Sequence, residues 1–156
     1  MKRQTIAFVV AAATLFATGV ITASAQTTGG SLLEEVAYLL KDSYQCFIKR
    51  AGTSLTLHNH ETGSSGIRID IDREFVIMQA NLGNLSLLSK ADRKSAREMI
   101  FNLNTRLPLG TLLVDGCGEV VLKHHVSTYY AEPTEIAGVV SRFAKEAAQK
   151  RSALFS

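Results

Sequence analysis

Apolar residues recur along this chain in two rhythms, one helical and one alternating, and the switches between them mark out its elements. Leu33, Val36, Ala37, Leu40 and Tyr44 return at helical spacing, and Ser31 followed by Glu34 forms a capping box, so a first helix is predicted over about Leu32–Ser43. Leu32 and Leu39 widen its apolar side into a second edge, which either sits deep in a core or faces a partner. Next come two β segments, Cys46–Arg50 and Ser54–His60, flanking Ala51-Gly52-Thr53 as a hairpin turn. Ile67, Ile69 and Ile71 alternate with Arg68, Asp70 and Asp72, the pattern of a half-buried antiparallel strand. Glu74–Leu82 follows over a tight Asp72-Arg73 corner, and its run Phe75-Val76-Ile77-Met78 predicts burial on both faces.

The helical rhythm resumes after Ser89, with Asp92 in the first turn to complement the helix dipole. Ala96, Met99, Ile100 and Leu103 form the expected core stripe, Lys90, Arg93, Lys94 and Arg97 a solvated basic face, and Pro108 closes the segment. A second hairpin is predicted from Leu109–Val114 and Glu119–Val126, with Gly116 and Gly118 in its turn supplying positive φ. A last helix opens with Pro133 and carries Ile136, Val139, Val140, Phe143 and Ala147 on one side. The fold class is therefore α+β, an antiparallel sheet covered by helices in the order α-β-β-β-β-α-β-β-α.

The first 25 residues follow a different logic. Lys2 and Arg3 precede an uncharged apolar run from Ile6 to Ile21, and Ala23-Ser24-Ala25 then offers the small residues a signal peptidase requires. That run is sixteen residues long, short of the roughly 20 a spanning helix needs, which favours a cleaved leader over an anchor. Residues 1–25 are read as a signal peptide, 26–30 as the flexible start of a mature chain beginning at Gln26, and 31–156 as a single domain. The expected location is periplasmic or secreted, with no stable membrane span after cleavage.

Cleavage changes the charge argument. The leader takes two of 17 basic residues and none of 14 acidic ones, so the mature balance falls from +3 to +1. A nucleic-acid partner, which needs a basic surface excess, is not expected. Cys46 and Cys117 remain in a compartment where disulfides persist, and they are candidates to pair with each other.

Candidate chemistry is sparse, and no cofactor motif or catalytic constellation occurs. Cys117 lies in a glycine-flanked turn upstream of His124 and His125, but no oxyanion or base-orienting residues accompany it. If the second and third strands pair so that His58 faces Asp70 and His60 faces Arg68, then His58, His60 and Asp70 become candidate metal ligands. The bland alternative is a polar cross-strand surface. His124 and His125, adjacent in a strand, must point to opposite faces. The leucines of Asn81–Leu88 either roof the core or form a contact patch, and Asn84-Leu85-Ser86 matches a glycosylation acceptor.

From Asn102-Leu103-Asn104-Thr105-Arg106, through Gly110–Asp115 and Gly118–Leu122, to the long final helix, the chain resembles the YbjN family of bacterial sensory transduction regulators. The likeness spans about residues 31–154. It implies a type III secretion chaperone-like fold, no shared catalytic apparatus and no agreed ligand. The leader sets this chain apart from the usual family pattern. The expected function is a non-enzymatic regulatory or binding module of the cell envelope. It would use the sheet face or the first helix to hold a protein, a peptide or a second copy as a homodimer. A metal- or small-ligand-binding protein is the alternative.

Overall fold

In the computed structural model the described residues are 29–49, 52–59, 66–72, 74–129 and 131–155. The leader and His60 lie outside them. Three helices and six strands follow one another as α1 (Gly29–Leu40), β1 (Tyr44–Lys49), β2 (Ser54–Asn59), β3 (Ile67–Asp72), β4 (Phe75–Asn84), α2 (Lys90–Asn104), β5 (Thr111–Val114), β6 (Glu119–Ser127) and α3 (Pro133–Phe155). A short 3-10 turn, Leu85–Leu87, joins β4 to α2. The expected order holds. The first helix begins earlier than its capping box suggests, so Ser31 lies within α1 rather than at its cap; the two preceding glycines offer no side-chain obstacle to the extra residues. Among the described residues, no helix is long and apolar enough to cross a membrane.

All six strands form one antiparallel sheet in the order β1-β2-β3-β4-β6-β5. Its register explains the core. One row runs Leu57, Ile67, Ala80, Leu122 and Leu112 across β2, β3, β4, β6 and β5, all of them buried. A second row runs Ile48, Leu55, Ile69, Met78 and His124 from β1 to β6. Because side chains alternate along each strand, every apolar row faces the same way. Helices α1 and α3 cover that face, packing on each other and on β1, β2, β4 and β6. Leu33, Val36, Ile136, Val140 and Phe143 fill the space between the layers, each fully shielded from solvent.

Among the described residues the opposite sheet face carries no helix, and it is largely polar, as in the row Phe47, Thr56, Arg68, Gln79, Lys123 and Thr111. This one-sided cover corrects the expectation for β4. Val76, Met78, Ala80 and Leu82 are buried, whereas Phe75 is 47% exposed and Ile77 only half-buried, since they point to the face away from α1 and α3. The second helix departs from expectation for a related reason. Its main contacts are with β5 and the 3-10 turn, so Ala96 and Ile100 are buried while Met99 remains 38% exposed.

Two polar devices fix α2 in place. Ser89 accepts a hydrogen bond from the Asp92 N–H as N-cap, as its sequence position suggests. Arg93, expected on a solvated face, instead turns back and donates to the carbonyls of Leu85, Ser86 and Leu88 at 3.1, 3.1 and 3.2 Å. Those carbonyls lie in the irregular connection around the 3-10 turn, where the Leu85 carbonyl also accepts from the Leu88 N–H, and the guanidinium adds donors that tie the turn to α2.

Candidate functional site

The metal hypothesis depended on register, and the register differs. Leu55 faces Ile69 and Ser54 faces Asp70, four positions removed from the alignment that would set His58 against Asp70. Asp70 is held by Arg68 on its own strand, with the guanidinium Nε 2.7 Å from the carboxylate. The His58 imidazole instead meets the Phe47 ring edge-on, with centroids 5.4 Å apart. His60 lies outside the described residues, and among the described residues no three His, Cys, Asp or Glu side chains gather as a metal site.

The cysteines are also kept apart. Cys46 sits on the edge strand β1, half-buried, with its thiol 3.6 Å from the Ala37 carbonyl; burial pushes its pKa up. Cys117 lies exposed in the β5–β6 turn, beyond β2, β3 and β4, and both thiols are free. Strands are spaced by about 4.8 Å, so crossing those intervening strands greatly exceeds the reach of about 7 Å between Cα atoms that a disulfide allows. In that turn Asp115 accepts from the backbone N–H groups of Cys117 and Glu119, and only Gly118 of the two turn glycines has a positive φ. Asn84, the acceptor in the glycosylation match, is engaged on both sides: its oxygen accepts from the Ser86 N–H at 2.7 Å and its amide donates to Glu119 at 2.9 Å.

His124 and His125 do point to opposite faces. His125 reaches the open face beside Phe75, and His124 ends an apolar row beneath α3. Burial lowers the pKa of His124, and the positive charges of His125 and Arg142 lower it further. An unfolded chain therefore takes up this proton before the folded protein does. The stability conferred by the neutral ring is complete above the ordinary histidine value of about 6.5 and is lost as pH falls below it, until the folded state is protonated too. Melting temperatures measured from pH 7.5 to 5 should fall less steeply for His124→Asn than for the wild type. Close by, Val126, Ala131, Ile136 and Val139 line an open groove between β6 and α3, with Glu135 and Arg142 at its rim.

The unburied apolar side chains are more informative. The 3-10 turn exposes Leu87 at 85%, α2 exposes Phe101 at 73% and Met99 at 38%, and β5 exposes Leu113 and Val114, strand neighbours on opposite faces. The leucines of the connection are thus divided: Leu82 and Leu85 roof the core, Leu88 is half-buried, and Leu87 projects. The first helix is divided too, with Leu32 in the core and Tyr38 and Leu39 exposed. Phe101 falls off the apolar stripe of α2, among Arg97, Glu98 and Asn102. That off-stripe position is the signal by which the sequence could have revealed it.

No family model matches the chain, and no curated protein matches it. Among solved structures it is similar to the Yersinia pestis type III secretion chaperone SycH, crystallised in complex with a stable fragment of YscM2. The likeness has 18% sequence identity and a TM-score of 0.52, and it covers 78% of this chain and 98% of that one. At that identity the comparison establishes the fold: an α+β sheet-and-helix arrangement of the secretion-chaperone type.

Proposed function

We propose that this chain is an exported, non-enzymatic YbjN-like domain that holds a protein or peptide partner in the cell envelope. The observation that carries this reading is the exposure of Phe101, 73% open to solvent on α2, with Met99 on the same helix and Leu87 on the preceding 3-10 turn also unburied. An aromatic this exposed, on a helix whose buried side chains are Ala96 and Ile100, contributes little to the core and is available to a partner. The chaperone SycH, whose fold this chain shares, was itself crystallised with a protein fragment. The leader-like pattern of residues 1–25 supports export.

Phe101→Asp tests the reading. Its position predicts a change in folding stability within about 0.5 kcal/mol, because exposed substitutions away from caps and cores rarely do more. Capture of envelope proteins on the immobilised variant should drop at least tenfold against wild type, on the order expected for a lost aromatic anchor. Equal capture by both proteins would remove the α2 end as the binding surface. Cell fractionation with N-terminal sequencing tests the other half: a chain beginning at Gln26 outside the cytosol is expected, and an intact precursor in the cytosol would overturn export.

A further inference from the structure

The two edges of the sheet are finished differently. At β5 the peptide group of Leu112 points away from β6, and both its parts are taken by one side chain. Asn104 of α2 accepts from the Leu112 N–H at 2.8 Å and donates to the Leu112 carbonyl at 2.9 Å. The amide stands where a neighbouring strand would stand and closes that edge at its centre.

Among the described residues, edge strand β1 has no such cover. Which of its groups face outward follows from the ladder. The Ile71 N–H donates to the Thr53 carbonyl at 2.9 Å, so Thr53 and Ile71 are a hydrogen-bonded pair. Bonded and non-bonded pairs alternate along antiparallel strands. Leu55 and Leu57 therefore bond to β3, while Ser54, Thr56 and His58 bond to their β1 partners Lys49, Phe47 and Gln45. The remaining residues, Tyr44, Cys46 and Ile48, direct N–H and C=O away from the sheet. Among the described residues, the side-chain contact to these groups is a long one, from the Cys46 thiol to the Tyr44 carbonyl at 3.5 Å.

Edge strands are usually protected by proline, a bulge or an inward-pointing charge. β1 has no proline, pairs in unbroken register, and presents Tyr44, Cys46 and Ile48 on its helix-side face. Its sequence also complements itself. A twofold axis normal to the sheet at Cys46 keeps both helix layers on one side. It sets Tyr44 of one copy against Ile48 of the other, and Cys46 against Cys46. Every outward group then meets a partner, with two bonds per pair and about six in all. Tyr44 and Ile48 are apolar, Ile48 is 40% exposed, and Lys49 falls opposite Ser43, so no like charges are opposed. An isologous contact requires this kind of reciprocity.

We infer that two copies of this chain pair antiparallel through β1, centred on Cys46, to form one continuous sheet. This surface lies at the opposite end of the sheet from the α2 face invoked above, so the two readings fail separately.

Light scattering and residue-resolved hydrogen exchange on the purified protein test the pairing. A dimer is expected, and the amides of Tyr44, Cys46 and Ile48 should exchange at least about tenfold more slowly at high protein concentration than at low. Ile48→Pro deletes one outward N–H and leaves the β1–β2 bonds untouched, so it should give a monomer with an unchanged circular dichroism spectrum. Ile48→Lys keeps that N–H and removes the apolar pair with Tyr44; it should weaken the dimer while remaining folded, which guards against a proline variant that misfolds. Phe101→Asp should leave the dimer intact. A monomer at every concentration would overturn the inference, as would a dimer whose three amides ignore concentration. So would a dimer abolished by Phe101→Asp, or β1 protection that follows a co-purified peptide instead of protein concentration.

Discussion

Phe143→Ala is expected to lower the free energy of unfolding by about 3–5 kcal/mol, the range for deleting a buried ring and leaving part of its volume empty. Phe143 is fully shielded and heads the buried side chains in size. It projects from α3, which packs on β4 and against α1, so its ring lies where the helical layer meets the apolar rows of the sheet. A domain of this size is stable by only about 5–15 kcal/mol, so the loss approaches half of the total. Urea unfolding followed by circular dichroism should show a reduced midpoint with an unchanged slope. Phe101→Ala provides the contrast: the same residue type, 73% exposed on α2, should shift stability by about 0.5 kcal/mol or less. Equal effects at the two positions would mean that α3 does not roof the sheet as described.

That contrast also separates what the sequence makes legible from what it does not. The alternation of Ile67, Ile69 and Ile71 announces β3 and its buried face because only one side of the sheet is covered. The stripe of Ile136, Val140, Phe143 and Ala147 announces α3 for the same reason. Register was not legible. The β2–β3 pairing differs by four positions from the one that would join His58 to Asp70. A slip by an even number keeps every side chain on its own face, so the hydrophobic pattern is identical in both alignments. Burial within β4 was misjudged because Phe75-Val76-Ile77-Met78 reads the same whether one face or two are covered. Periodicity likewise nominated Met99 for the core of α2 and passed over Phe101, since a pattern reports an apolar stripe but not how much of it a neighbour occupies. Arg93 was hidden by its charge: its role comes from carbonyls gathered around a 3-10 turn that spacing does not foretell.

Gly110 shows the opposite case, a residue visible in the family-like segment whose reason emerges only in three dimensions. It precedes β5 with φ +82°, and a Cβ built on it would stand 2.7 Å from the Lys123 carbonyl oxygen and 3.3 Å from Leu122 Cδ1. The left-handed conformation alone costs an L-residue about 1–2 kcal/mol. The contact adds to this, because the Lys123 oxygen belongs to β6, which is fixed between β4 and β5 and pairs there with Thr111, and so cannot withdraw as a flexible side chain would. Gly110→Ala should therefore destabilise the protein by about 2–4 kcal/mol, combining backbone strain with displacement of a strand. Loss should appear first as faster hydrogen exchange in β5 and in the adjoining C-terminal turn of α2, since Asn104 grips Leu112 only while β5 keeps its place. Gly116, in the nearby turn, lacks positive φ, and a Cβ there meets nothing within 4 Å. Gly116→Ala should accordingly be neutral or stabilising by up to about 1 kcal/mol, through a less flexible unfolded chain. If both alanine variants melt alike, the entry into β5 is not the tight passage that this geometry requires.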